Sequence, residues 1–238
     1  PLPVSAVTLD WIKVGEREDE SGNKKQQVFL IAITNEQVDK YKRIFSGAGL
    51  NLVALELEGI SLARSITTNS DSPTLIVDLG ARSTNLSVAR NGLLQFIGQT
   101  DFASASLTHA ISSGLGINSR RAEDLKKQRG LVDAGLGPAQ ELSTLMKPIL
   151  DVTINEVRKL RENYKNTYHQ EVQNVVLTGG GAQLLGVEEY FKKELGSPVT
   201  KANPFADLSY DSRLDVLMNS LGVLLPVAIG ASLRNFKI

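Results

Sequence analysis

Hydrophobic positions change period several times along the 238 residues, and each change marks an element. Val7, Leu9 and Trp11 alternate, with Ile12 and Val14 following, which predicts a strand over Val7 to Val14. Gly15 to Lys25 is charged and reads as a solvated hairpin connection, and the run Val28 to Ile31 predicts a second strand over Gln27 to Ile33. Thr34 and Gln37 form a capping-box pattern ahead of Val38, Tyr41, Ile44 and Phe45 at helical spacing, with Gly47 and Gly49 as the stop. Asn51 to Leu57 reads as a third strand, or as a strand entering a helix that ends near Ile66. The pattern therefore predicts a small β-β-α-β unit with its connecting helix over residues 1–66, and a second domain over 71–238. Asn69 to Pro73 is the polar connector between them.

The second domain opens on Leu75 to Val77, apolar without alternation, which suits a strand covered on both faces. A polar turn follows, then an alternating strand that reaches Val88. Leu93, Phe96 and Ile97, bounded by Gly92 and Gly98, predict another hairpin arm. A helix from Ser104 to Ser113 is stopped by Gly114 and Gly116, and a second begins at Asn118 as N-cap. Gly130 to Pro138 reads as loop. A long helical pattern runs from Leu142 to Tyr164, which Pro148 must kink or start. Val175 to Leu177 predicts a buried strand running into Gly179, Gly180 and Gly181, with a helix directly after them that aligns Leu184, Val187, Phe191 and Leu195. Near the end, Leu221 to Leu233 is apolar, and its small residues, among them Gly222, Ala228 and Gly230, suit close helix packing in a core. Pro226 interrupts that stretch, which is shorter than the roughly 20 residues of a spanning helix.

Composition removes several functions. With 26 basic and 26 acidic residues the formal charge is zero, so no basic excess points to nucleic acid and no polybasic run to anionic lipid. The absence of cysteine excludes disulfides, thiol catalysis and zinc–cysteine sites. His109 and His169 lie far apart without metal-ligand spacing and read as structural.

The candidate chemistry sits in two turns. Asp78 places a carboxylate at the C-terminal end of a buried strand, where an α/β sheet opens its ligand crevice. Gly80 permits a tight turn or a close approach, Ser83 and Thr84 add hydroxyls, and the N–H groups of such a turn can cradle an anion. Gly179, Gly180 and Gly181 form the second turn, where bare backbone ahead of a helix suits an anionic ligand. A hairpin that binds nothing and a glycine turn that only packs tightly are the bland alternatives. A dinucleotide fingerprint fails because Leu184 stands where its third glycine belongs, and no Walker-A lysine motif is present.

The ordered set resembles the actin-like ATPase superfamily. Asp78 to Thr84 looks like its second phosphate loop, and Val175 to Val187 like its adenosine motif. Ala122-Glu123-Asp124-Leu125-Lys126 is similar to the helix whose acid and lysine reach the nucleotide's ribose and base. Within the superfamily the chain resembles the PilM family of type IV pilus assembly proteins, relatives of FtsA, over nearly its whole length. The resemblance implies a mixed α/β, actin-like (ribonuclease H-like) fold with a small β-rich inserted subdomain. The two turns are expected to face each other across a cleft, each on its own sheet. No first phosphate hairpin is found, so the chain is expected to begin inside the small subdomain and to hold nucleotide weakly as given. Ala103-Ser104 replaces the family's Gly-Gly after the second phosphate hairpin, Gly98 its preceding arginine, and Ala81 a second acid, which implies slow or no hydrolysis.

The implied function is a cytoplasmic adaptor, peripheral to the inner membrane and without direct membrane insertion. It would bind ATP or ADP with magnesium, the ion held through water near Asp78. Its implied partners are other pilus assembly components and the N-terminal cytoplasmic tail of a PilN-type inner-membrane protein, lodged in a groove beside the small subdomain. A phosphotransferase of the sugar or acetate kinase type and a nucleotide-free scaffold are the alternatives.

Overall fold

In the computed structural model, which describes residues 3–18, 21–131, 138–206 and 208–235, the chain divides into two units, Pro1–Leu57 and Glu58–Ile238. The first unit is built on one antiparallel pair, β1 (Val7–Glu18) and β2 (Lys24–Thr34). The strands run further than the hydrophobic pattern indicated, because most of the charged stretch from Gly15 to Lys25 continues the ladder; residues 19 and 20 lie outside the described residues. A bulge between Lys13 and Gly15 turns Val14 inward, the one buried hydrophobic side chain of this unit among the described residues. Helix α1 (Asn35–Gly47) starts at Thr34, whose hydroxyl accepts from the Gln37 N–H as the capping pattern predicts. The third strand does not form. Residues 51–57 make no ladder, since no described strand lies alongside to pair with their backbone, and Val53 is 79% exposed.

Register separates the two faces of the β1–β2 pair. Leu9 lies opposite Ala32, Trp11 opposite Leu30 and Lys13 opposite Val28, so these share one face. Leu9, Trp11, Val28 and Leu30 are all exposed there. Ile12, Phe29, Ile31 and Ile33 alternate to the other face and are partly covered.

Helix α2 (Glu58–Thr67) belongs to the second unit, so the helix read as closing the first block is part of the larger core. That core surrounds a five-stranded sheet in the order β5-β4-β3-β6-β7. Strands β3 (Thr74–Leu79), β4 (Thr84–Arg90) and β5 (Leu93–Thr100) form an antiparallel meander; β6 (Asn174–Thr178) and β7 (Val199–Lys201) pair parallel on its far side. The hydrophobic pattern did not predict β7, which has only three residues.

Leu75, Val77 and Leu79 of β3 join Leu86, Val88 and Leu177 in the main core under α3 (Ser104–Leu115), α4 (Ser119–Arg129), α5 (Pro138–Tyr168) and α6 (Val187–Leu195). Ile76 and Asp78 alternate to the other face, which α2 covers. Helices α7 (Asp215–Leu221) and α8 (Pro226–Ser232) follow, and α8 packs on α2.

Three expected breaks lie inside elements instead. Gly98 is within β5 and Gly114 within α3, because each lets a leucine of α5 approach: an added Cβ would stand 2.5 Å from Leu160 Cδ1 or from Leu145 Cδ2. Pro148 stands on the exposed side of α5, which runs unbroken past it. The predicted loop from Gly130 to Pro138 falls mostly outside the described residues, in 132–137, and Pro138 already starts α5. No single described helix is long and apolar enough to cross a membrane; the pair Ser212–Leu221 and Pro226–Asn235 reaches that hydropathy only together, bent by 111°.

The small residues near the end do serve close packing. An added Cβ on Gly230 would meet the Ser61 carbonyl oxygen at 1.9 Å, and Arg64 Nη1 donates to the Gly230 carbonyl at 2.6 Å. Gly230→Val is therefore expected to separate α8 from α2 and to destabilise unit 2 by roughly 3 kcal/mol or more. An unchanged urea midpoint would contradict that crossing.

Candidate functional site

The two singled-out stretches are neighbours on one sheet, not on two. β3 pairs with β6 in register from Thr74↔Asn174 to Asp78↔Thr178, so both strands end at the same level. β3 leaves for the meander and β6 for α6, so the connections part at these strand ends, the place where such a sheet can take a ligand.

The turn after β3 is tight. The Gly80 N–H donates to the Asp78 carbonyl at 3.0 Å, and a Cβ on Gly80 would stand 2.6 Å from the Ser83 carbonyl oxygen. Ala81 and Arg82 are exposed and Ser83 half-buried. Thr84 points inward instead: it is fully buried and donates to the Phe102 carbonyl at 2.8 Å, tying the turn to the segment before α3.

The three glycines divide by cause. Gly179 has φ 81°, and a Cβ there would stand 2.4 Å from Asp78 Oδ1; on Gly181 it would stand 2.7 Å from Leu79 Cβ. Both are glycine because β3 lies against them. Gly180 is exposed, and a Cβ there would meet nothing within 4 Å. The turn is anchored from behind, with the Gly179 N–H and the Thr178 hydroxyl both donating to the Val223 carbonyl, at 2.7 and 2.9 Å. Gly180 to Gln183 form a 3₁₀ turn, and α6 begins only at Val187. The helix start expected directly behind the glycines is thus displaced by that turn.

Asp78 has a second carboxylate near it that the sequence reading missed. Asn85 stands directly opposite Asp78 on β4, and its Nδ2 donates to Glu58 Oε2 at 3.3 Å, holding Glu58 of α2 beside the strand end. Burial, and then the nearby Glu58 charge, push the Asp78 carboxyl up to about 6. Nothing in the sequence spacing of Glu58 and Asp78 signals this pair, which only the packing of α2 on the sheet creates. A half-buried carboxylate beside an exposed one fits a magnesium ion that keeps most of its waters. Among the described residues no cluster of three or more acidic, histidine or cysteine side chains offers a fuller metal cage.

Glu123 and Lys126 lie together on α4. Burial pushes the Glu123 carboxyl up, but hydrogen bonds from Lys126 and Thr108 with the Lys126 charge outweigh it and hold it below its usual range. The start of α4 is capped as the sequence predicts, Asn118 accepting from the Arg121 N–H. Its end reaches the glycine-turn side of the sheet, where the Leu131 N–H donates to the Leu185 carbonyl at 2.8 Å.

The Asp78 environment predicts a pH effect of definite sign. A carboxyl raised from 3.8 to about 6 binds its proton more tightly folded than unfolded, so its ionisation lowers stability as the pH climbs from about 4 to about 6. Asp78→Asn should flatten that part of the profile and raise stability near neutral pH by roughly 1–2 kcal/mol, after allowing for partial exposure. Parallel urea profiles for the two proteins from about pH 4 to about pH 7 would contradict this environment.

Comparison with known proteins follows this geometry. A PilM–PilN type IV pilus biogenesis complex contains a chain of similar fold, with a TM-score of 0.80 at 22% identity over 100% of this chain and 69% of that one. The ethanolamine utilization protein EutJ from Carboxydothermus hydrogenoformans scores 0.62 at 22% identity, over 84% of this chain and 62% of that one. MreB5 of Spiroplasma citri bound to AMPPNP scores 0.64 at 18% identity, over 85% and 65%. These place the fold among the actin-like proteins. In sequence the cell division protein FtsA of Neisseria meningitidis serogroup B is 24% identical over 228 residues, 84% of this chain and 55% of that protein, so the chain spans about half of that relative's length. The family model for type IV pilus assembly protein PilM matches residues 1–236, and the chain belongs to that family.

Proposed function

We propose that the chain is a nucleotide-binding adaptor of type IV pilus assembly. In this reading ATP or ADP lies over the β3 and β6 strand ends, its phosphates at Gly80 and Ser83 and its adenosine against Gly180. Asp78, with Glu58, holds magnesium through water, and Glu123 faces the ribose. Thr84 shapes the turn from inside. The observation that carries the reading is Gly180: unlike Gly179 and Gly181 it has no neighbour that requires a glycine, and it stands exposed next in the chain to Gly179, which lies against the Asp78 carboxylate. An actin-like relative of the same fold that binds AMPPNP supports it.

The partner in this reading is the N-terminal cytoplasmic tail of a PilN-type inner-membrane protein, which would hold the chain at the membrane's cytoplasmic side without inserting it. The name of the PilM–PilN neighbour supports that choice. A short tail loses chain entropy on binding and needs apolar anchors to compensate. On the first unit the exposed face of Leu9, Trp11, Val28 and Leu30 offers them, with Trp11 58% and Leu30 65% exposed.

Two titrations test the reading. Because the space around Gly180 is open, Gly180→Val should fold normally yet weaken MgATP and MgADP binding by about tenfold or more in calorimetry. Superimposable curves for the variant and the parent would remove the nucleotide from this turn. A synthetic PilN-type tail should lose about tenfold or more of its affinity when Trp11 and Leu30 are both changed to alanine. Unaltered tail binding would move the docking site off this face.

A further inference from the structure

Lys126 stands where the resemblance implies contact with ribose or base, yet its ammonium is already committed. Nζ lies 2.7 Å from Glu123 Oε2, 2.8 Å from Ser104 Oγ, 2.8 Å from Thr108 Oγ1 and 3.0 Å from the Ser104 carbonyl oxygen. An ammonium has three hydrogens, so these acceptors already share all of them. The side chain is 6% exposed, which leaves no open face for a ligand.

Most of those acceptors belong to the first turns of α3, and α3 in turn holds the turn after β3. The Ser104 N–H donates to the Gly80 carbonyl at 3.1 Å, and the Ala105 N–H to the Ala81 carbonyl at 3.0 Å. Ala103 offers no capping side chain; the Ser106 hydroxyl accepts from the Ala103 N–H at 3.3 Å, while the Ser104 and Ala105 N–H groups are left to the turn carbonyls. The buried Lys126 charge adds a second, charge-assisted restraint through Ser104.

We propose that Lys126 is a positioning residue that fixes the Gly80–Ala81 turn through Ser104 and the start of α3, and not a ligand of the nucleotide. Glu123 keeps the ligand-facing role. Its Oε2 is taken up by Lys126 and Thr108, while among the described residues Oε1 has only Lys127 at 3.4 Å, on a side chain 34% exposed. The consequence for nucleotide rests on the phosphate-turn reading above; the mechanical link does not.

Amide hydrogen exchange of the nucleotide-free protein, followed residue by residue by NMR, tests the link. Lys126→Met should accelerate exchange of the Ser104 and Ala105 amides by roughly tenfold or more, the loss of charge-assisted hydrogen bonds. Glu123→Gln, which leaves the contacts of Lys126 to Ser104 and Thr108, should change them by less than about threefold. Ser104→Ala, which removes one acceptor only, should shift them in the same direction by a smaller factor and serves if Lys126→Met does not fold. Unchanged Ser104 and Ala105 exchange in both the methionine and the alanine variants would overturn the proposal. In a second arm, Lys126→Met should weaken MgADP more than adenosine, and equal losses for both would return Lys126 to a direct contact. If the parent protein binds neither compound, the nucleotide reading fails while the exchange result still decides the positioning role.

Discussion

The parallel pairing of β3 with β6 sets Asp78 beside Thr178 and presses Leu79 against Gly179 and Gly181. Parallel neighbours in a sheet are buried on both faces, which is why β3 and β6 are short apolar runs without alternation. The same pairing sends two connections away from neighbouring strand ends in different directions, the arrangement in which such sheets take ligands. Both connections are anchored. Val223 holds the glycine turn, Thr84 holds the polar turn, and the start of α3 holds Gly80 and Ala81.

Against that frame the Asp78 carboxylate is the group out of balance. It is half-buried, close to Glu58, and pushed up to about 6. A folding unit gains nothing from two neighbouring carboxylates, since each raises the cost of ionising the other. A cation arriving with a phosphate would reverse that sign, and the proposed nucleotide site thereby accounts for a feature that stability alone does not. The Lys126 ammonium presents the opposite case: a buried charge fully surrounded by acceptors, which suits a fixed strut.

The chain was legible where a local rule decides the outcome. The apolar runs of β3 and β6 and the caps at Thr34 and Asn118 follow from neighbours within a few residues, and the small residues around Gly230 signalled close packing without naming its partner Ser61. Expectations failed where a partner distant in sequence decides. Gly98 and Gly114 look like stops until α5 is seen against them. Residues 51–57 read as a strand but have no ladder to join among the described residues. Glu58 comes beside Asp78 only through the packing of α2, and the Thr84 hydroxyl turns inward to the Phe102 carbonyl, which its place in the polar turn did not signal. The glycine triplet reads as one feature in sequence, although two of its members answer to β3 and Gly180 has no neighbour within 4 Å that requires a glycine.

The central claim is that nucleotide binds at the strand ends of β3 and β6, and amide chemical-shift mapping addresses it most directly. The isotopically labelled chain would be titrated with MgADP and the backbone amides followed. The account predicts that the largest shifts fall on Gly80, Ala81, Ser83, Gly180 and Glu123, with the β1–β2 amides of the first unit little affected. Saturation of a binding curve with those amides unmoved, or shifts concentrated in the first unit, would contradict it.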